Sequence, residues 1–305
     1  MFKTFPEFSR LTLSDREEYE ERIRGYPPVS DIAFSTLFLA WSSLKAVKIA
    51  VLYDNLIIPY WMPGYESHSG FSIVGTNKID ESLCTVLDYL KERGEPVQLV
   101  NVPEFVIEQV RYPELFKFTA ERGLDEYLIP ASRLYPLESA PPLIRPRIRK
   151  FIRRNQTKTL EFRKLDLKIA ANRRLLLRKI EAWRRKGTLS DLGSFEEEVL
   201  RSTVANAEDL GIGNFCLFID GSLQGYCMYR LIPGCEYADI FHFKFDAHVP
   251  YLFEFLAHKT MEHLVENGAE TINIQADLGL MRVRIHKLLL GPSNFFRKYK
   301  IRTAM

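Results

Sequence analysis

The stretch FCLFIDGSLQGYCMYRLIPGCEYADIFHFKF, residues 215–245, decides the fold. Apolar residues dominate three runs in it, at 215–219, 223–231 and 236–245. Asp220-Gly221 separates the first two runs, and Asp-Gly between apolar runs is a strong signal for a β-hairpin. Pro233-Gly234 marks a second turn. The stretch therefore predicts three successive antiparallel strands.

The helices and strands predicted on either side of this stretch complete the element order of a known fold. Helical patterns at 170–185 and 194–207 precede it, and a helix at 251–265, a strand at 271–275, a helix at 280–290 and a strand at 294–301 follow it. This is the element order of an N-acetyltransferase-like (GNAT) fold. The first half repeats a looser version, with strands at 47–53 and 56–60, a turn at Asp54-Asn55 and a helix at 79–92. The predicted fold class is α+β (mixed α/β), with two tandem GNAT-like domains and mixed, mainly antiparallel sheets.

Prolines crowd the middle of the chain and indicate the domain boundary. Five of them lie between residues 127 and 146, where they disfavour a helix interior or a central strand. The predicted domains are residues 1–144 and 145–305, and the second is expected to carry the active site.

The charge distribution indicates a polyanionic partner. Seventeen Lys or Arg and three acidic residues lie between Arg145 and Lys186, a net charge of about +14, whereas the whole chain carries only +3. Nucleic acid, a phospholipid surface and a nucleotide cofactor are the candidate partners. A solvated helix face is the alternative explanation for such a segment.

The remaining composition is that of an ordinary globular protein, with 46% hydrophobic and 27% charged residues. No apolar run approaches the roughly 20 residues that span a bilayer, and the four cysteines form no C-x-x-C pair. The expected location is the cytoplasm, with peripheral association at the inner membrane surface left open.

Two segments resemble one protein family. The segment from Leu11 to Trp41 is similar to the opening of bacterial proteins grouped as domain of unknown function 2156, which includes the C-terminal domain of phosphatidylglycerol lysyltransferase. The segment NIQADLG, residues 273–279, continuing through Arg284, Lys287 and Pro292 to Lys298-Tyr299, is similar to that family's closing signature.

The resemblance implies a tandem GNAT-like fold, akin to the Fem-type transferases, and an enzyme that moves an aminoacyl group from aminoacyl-tRNA to a lipid or small-molecule acceptor. The basic segment would then bind tRNA, through Arg145, Arg147, Arg149, Lys150, Arg153 and Arg154, and no cofactor is expected. Two departures leave the acceptor open: Gln275 stands where the family has an acidic residue, and Lys244 where it often has Glu.

Several residues have types and positions that suit acyl transfer, which needs a held donor, a base and donors to an oxyanion. Asp277 follows an apolar strand, where it acts either in catalysis or as a helix cap. His242 and Asp246 are four apart on a strand and so share one side of it. Residues expected to bind the substrate or donor are Arg284, Lys287, Lys298 and Gln275.

Three alternatives remain at this stage. A coenzyme-A acyltransferase would need a Gly-rich turn after the third core strand, and residues 245–251 contain no glycine. A non-catalytic binder of nucleic acid or an anionic surface, on a degenerate transferase scaffold, is compatible with Lys244 and Gln275. A metal site at Glu254, His258 and Glu262 lacks an H-E-x-x-H box, so no metal is expected.

Overall fold

The computed structural model describes residues 1–41, 47–60, 70–185, 193–234 and 236–304. Its helices are α1 (Arg16–Ile23), α2 (Phe34–Thr36), α3 (Ile79–Glu92), α4 (Glu104–Ile107), α5 (Arg145–Arg154), α6 (Ala170–Arg185), α7 (Gly193–Asn206), α8 (Leu252–Glu266) and α9 (Met281–Leu289). Its strands are β1 (Ser9–Arg10), β2 (Lys48–Leu52), β3 (Asn55–Tyr60), β4 (Gly70–Val74), β5 (Leu99–Pro103), β6 (Phe116–Ala120), β7 (Glu126–Pro130), β8 (Leu160–Arg163), β9 (Gly213–Ile219), β10 (Ser222–Leu231), β11 (Tyr237–Phe245), β12 (Thr271–Asn273), β13 (Asn294–Phe296) and β14 (Lys298–Thr303).

The strands form two seven-stranded sheets with matching topology. The first has the order β1-β2-β3-β4-β5-β14-β6, and the second, read from its far edge, has the order β8-β9-β10-β11-β12-β7-β13. In each sheet an antiparallel run of strands leads to a parallel pair, β4–β5 in the first and β11–β12 in the second. A parallel pair needs a crossover connection, which contains α3 in one case and α8 in the other. The predicted fold class, with mixed and mainly antiparallel sheets, is confirmed.

Each sheet contains one strand that its place along the chain would have assigned to the other sheet. β7 follows β6 along the chain but pairs with β12 in the second sheet, whereas β14 follows β13 but pairs with β5 and β6 in the first. The chain accordingly divides into two compact units. Unit 1 contains residues 1–126, 276–280 and 295–305, and unit 2 contains residues 127–275 and 281–294. These ranges differ from 1–144 and 145–305 because of the two exchanged strands.

Each unit has its own hydrophobic core. In unit 1, α3 buries Ile79, Leu83, Val86, Leu87 and Leu90, which recur at helical spacing, against the first sheet. In unit 2, α5 and α8 pack on one face of the second sheet, and the rings of Phe151 and Phe255 stack with centroids 4.2 Å apart. Aromatic pairs of this kind stabilise a core beyond the area that they bury.

One of the two predicted hairpin turns is confirmed, and the other is shifted by one residue. The turn at Asp220-Gly221 is confirmed, because both residues have positive φ, of 49° and 74°, as a tight type I′ turn requires. The turn predicted at Asp54-Asn55 lies one residue earlier, at Tyr53-Asp54, with φ of 50° and 67°. Asn55 is instead buried as the first residue of β3, and its side-chain amide bonds to the backbone of Asn77.

A buried ion cluster lies in unit 1 where the exchanged strands begin. Lys298, the first residue of β14, is fully buried, and its Nζ lies 2.7 Å from Glu126 Oε1 and 3.0 Å from Asp31 Oδ2. The Glu126 carboxylate also accepts the backbone N–H groups of Ser30 and Asp31. Burial alone would lower the pKa of Lys298, but the two carboxylates outweigh it and raise that pKa.

We expect the Lys298→Met variant to lose about 3–5 kcal/mol of unfolding free energy, because it leaves two buried carboxylates without their cation. Urea denaturation followed by circular dichroism measures the loss. Lys3→Met is the matched control, since Lys3 is exposed and pairs with the exposed Glu7. Equal stability of the two variants would contradict the structural role of the cluster.

Candidate active site

The two parallel strands of the second sheet separate after three residue pairs. β12 pairs with β11 from Tyr237–Thr271 to Asp239–Asn273, while β11 continues to Phe245. Over residues 240–245, the register of the described strands gives β11 a neighbour only on the β10 side. Ligands of open sheets bind beyond the carboxyl ends of parallel strands. The ends of β11 and β12, residues 240–246 and 273–275, therefore form the candidate site, here called the strand split.

A row of polar residues crosses the sheet where the strands separate. Arg230 of β10 lies opposite Asp239 of β11, and Asp239 lies opposite Asn273 of β12. Arg230 Nη2 lies 3.1 Å from Asp239 Oδ2, and both Asp239 and Asn273 are fully buried. The sequence-based prediction missed all three. The sequence did contain a signal for two of them, since Arg230 and Asp239 are charged residues inside the apolar runs 223–231 and 236–245.

Gln275 and Lys287 meet at the end of β12. Gln275 has a positive φ of 59°, and its N–H donates to the Asn273 side chain at 2.8 Å. Lys287 of α9 donates from Nζ to the carbonyl oxygens of Ile274 (2.5 Å) and Gln275 (2.8 Å). These bonds fix the chain where β12 leaves β11, and the expected role of Lys287 in binding the substrate or donor stays a prediction. Arg284 lies half-buried on the same helix.

His242 of β11 is held as a neutral imidazole. It is 8% exposed, and burial, with a smaller effect of Lys244, lowers its pKa to about 3. The Thr203 hydroxyl donates to the Val199 carbonyl at 2.7 Å and lies 3.3 Å from His242 Nε2. Because that hydroxyl has one proton, Nε2 is the donor and Nδ1 is the unprotonated nitrogen. A base of this pKa accepts protons weakly at neutral pH, so the geometry favours a hydrogen-bonding role.

Asp246 organises the loop between β11 and α8. Its Oδ1 accepts the His248 N–H at 3.0 Å, and its backbone carbonyl accepts the Val249 N–H. Leu252 N–H in turn donates to Val249 O. A cradle for a coenzyme-A pyrophosphate would present such amides to the ligand. In this loop those three amides donate to the protein itself.

Asp277 and Lys298 belong to unit 1. Asp277 is fully buried, its Oδ1 accepts the Gly279 N–H at 2.8 Å, and Arg122 Nη1 lies 3.8 Å from its Oδ2. This carboxylate closes its own turn, which ends before α9 begins at Met281, so this bond does not cap that helix. The predicted catalytic role of Asp277 stays a prediction. The ammonium group of Lys298 is enclosed by Asp31 and Glu126, as described above, and so is not exposed to a substrate phosphate.

The six basic residues predicted to bind tRNA all lie on α5, but two of them also have partners within unit 2. Arg147 Nη1 pairs with Glu254 at 2.8 Å, and Arg145 Nη2 donates to Ala140 O. The other four, Arg149, Lys150, Arg153 and Arg154, are exposed, and none of them forms an ion pair with a described residue. These four residues are called the α5 cationic face. It lies away from the buried Ile148 and Phe151 of the same helix.

The residues considered for a metal site have other partners. Glu254 pairs with Arg147, His258 Nδ1 donates to Leu134 O at 2.6 Å, and Glu262 pairs with Lys259. Within the described parts of the chain, no group of His, Cys, Asp and Glu is arranged to hold a metal ion.

We expect Lys287→Met to lower the unfolding free energy by about 1.5–3 kcal/mol, since it removes charge-assisted bonds to two backbone carbonyls. Arg282→Met, an exposed position on the same helix, is the control. Urea denaturation compares the two, and hydrogen exchange at residues 274–276 should accelerate only in Lys287→Met. Unchanged exchange there would show that Lys287 does not fix the end of β12.

The buried, neutral state of His242 predicts that the free energy of unfolding depends on pH. Its imidazole is neutral in the folded protein down to about pH 3, whereas in the unfolded chain it gains a proton near pH 6.5. Acidification below about 6.5 therefore favours unfolding. Between pH 8 and pH 5 we expect the wild type to lose about 2 kcal/mol more than His242→Asn. Equal losses in urea denaturation would contradict the buried neutral state.

No protein-family model matches the sequence, and no curated protein matches it either. Solved structures do match. A conserved protein of unknown function from Bacteroides thetaiotaomicron has a TM-score of 0.80 at 19% identity, with 96% of this chain and 98% of that chain covered. Among the described residues, no helix has the length and apolar character needed to cross a membrane.

Two further matching structures belong to named proteins. The C-terminal DUF2156 domain of a candidate lysylphosphatidylglycerol synthetase from Agrobacterium fabrum has a TM-score of 0.64 at 13% identity, covering 96% of this chain and 92% of that chain. FemX has a TM-score of 0.56 at 11% identity, covering 96% of each chain. The predicted resemblance is confirmed for the fold: this chain has the fold of the DUF2156 domain and of FemX.

Proposed function

We propose that this protein is an aminoacyltransferase, which takes an aminoacyl group from aminoacyl-tRNA and passes it to a lipid or small-molecule acceptor. The α5 cationic face carries the proposal. Its four exposed cations form no ion pair with described residues, so they are available to the phosphates of a nucleic acid. The choice of charged tRNA as the donor follows from the resemblance of the sequence to the DUF2156 group and the Fem-type transferases, and the fold shared with the DUF2156 domain and FemX is compatible with it.

The α5 cationic face lies on a helix that packs into the core of unit 2. Ile148 and Phe151 bury the opposite side of the helix, and Phe151 stacks on Phe255 of α8. The chemical step is assigned to the strand split. There the open edge of β11 offers backbone groups to the donor's aminoacyl end, and His242 and Lys244 lie on the same side of that strand. Transfer needs a held ester and hydrogen-bond donors for its oxyanion more than it needs a strong base.

We expect aminoacylated tRNA to bind more tightly than deacylated tRNA, with a steep loss of affinity as salt rises. The Arg149→Glu/Lys150→Glu/Arg153→Glu/Arg154→Glu variant should flatten the slope of log K against log salt by up to about 3–4, since each lost phosphate contact removes roughly 0.7–0.9. Filter binding at two salt concentrations, with charged and deacylated bulk tRNA, measures both effects.

The matched control reverses four other exposed charges, with Arg10, Lys48, Lys91 and Lys117 changed to Glu. It changes the net charge by the same amount but leaves α5 intact. Equal loss of tRNA binding in the two variants would reject the α5 cationic face. Absence of salt-sensitive tRNA binding in the wild type would reject the proposed donor. Transfer of labelled amino acid from tRNA to extracted lipids or small molecules then tests the acceptor.

A further inference from the structure

A pocket in unit 2 lies apart from the strand split. It has a volume of about 390 Å³ and lies beside the end of β7 and the chain after α9. Its lining includes Arg133 and the hydroxyl side chains of Ser132, Ser139 and Ser293. The volume falls within the range of pockets that bind small molecules.

The four polar side chains around this pocket are exposed and have no partner in the described protein. Among the described residues, none forms a hydrogen bond or ion pair with the side chains of Arg133, Ser132, Ser139 or Ser293. A guanidinium has five N–H donors in a planar fork, and each hydroxyl adds one more. None of the seven lining residues is acidic. The chemistry of the pocket therefore suits an anion with several acceptor oxygens.

Gly291 leaves room for the arginine at the edge of the pocket. A Cβ atom at Gly291 would lie 2.8 Å from Arg133 Nε and 3.4 Å from Arg133 Cγ, and Gly291 has a positive φ of 74°. The guanidinium thus lies close against the Gly291 backbone, in space that any other residue would fill. An arginine fork matches the oxygens of a phosphate in a bidentate manner.

The pocket lies by β7 and the chain that leads into β13, whereas the strand split lies between β11 and β12. Pro130, which lines the pocket, pairs with Thr271 at the start of β12, whereas Leu128 pairs with Asn273 at its end. The Ala131 N–H donates to Glu270 O and continues this register past the start of β12. Ser293, which also lines the pocket, donates its N–H to the carbonyl oxygen of Leu128, so the pocket extends along β7 as far as the register of Asn273.

We propose that this pocket is a phosphate-binding site, in which Arg133 binds two phosphate oxygens and the serine hydroxyls donate to the others. The phosphate belongs to a small molecule or to a lipid headgroup, since both present the same oxygens. The proposal is independent of the proposed function, because neither tRNA nor a transfer step enters it.

The test measures phosphate binding by the whole protein in two arms. Isothermal titration calorimetry uses inorganic phosphate, and vesicle flotation compares phosphatidylglycerol with phosphatidylcholine vesicles. We expect Arg133→Ala to weaken binding at least about tenfold, because a charged bidentate contact is lost. Arg133→Lys, which keeps the charge but not the fork, should bind with intermediate affinity.

Two further variants separate the pocket from general charge. Arg174→Ala removes the same charge from an exposed position on α6 and should leave phosphate affinity unchanged. Ser132→Ala/Ser139→Ala/Ser293→Ala should weaken binding although the charge is unaltered. Circular dichroism melting confirms that each variant is folded.

Each outcome bears on the proposal. Arg133-dependent binding of free phosphate supports a small-molecule ligand, and Arg133-dependent binding of phosphatidylglycerol vesicles alone supports a lipid headgroup. No binding in either arm, or equal binding by the wild type and Arg133→Ala, would overturn the proposal. An equal loss in Arg174→Ala would also overturn it, since the effect would then come from net charge.

Discussion

The contact between the Lys298 ammonium and the carboxylates of Glu126 and Asp31 is the interaction on which the arrangement of strands depends. Lys298 begins β14 and Glu126 begins β7, and these are the two exchanged strands. A charge this deep is tolerated only where partners compensate it. A shift of β14 by one residue would turn Lys298 to the other face of the sheet and bury Tyr299 among carboxylates. The ion cluster therefore specifies the register of β14 as well as stabilising unit 1.

The parts of the fold that local sequence encodes were predictable. The hairpin at Asp220-Gly221 has its own turn residues and flanking apolar runs, and the helix at 79–92 has a regular apolar face. The strand β7 was hidden because it ends in Pro130, inside the proline-rich stretch that indicated a boundary. The exchange of β7 and β14 was not predictable, because strand pairing over such sequence distances leaves no local pattern.

The candidate site was predictable only in outline. The pattern placed His242 on a central strand and Gln275 at the end of the next one, and both lie at the strand split. It did not reveal that Lys287 bonds to the backbone of Ile274 and Gln275, because a lysine on a helix is usually exposed. Nor did it reveal the complete burial of Asp277 and Lys298. Burial decides whether a charged residue serves structure or substrate, and burial depends on tertiary packing.

The exchange of strands has a consequence for how this chain acquires its structure during synthesis. Domains generally fold in order as they leave the ribosome, the earlier one first. Here the first sheet receives β14 between β5 and β6, so β6 has no neighbour in that sheet until residues 298–303 have been translated. The second sheet already contains β7 by then. The unit that begins first is therefore completed last, and each half of the chain depends on the other for a finished sheet.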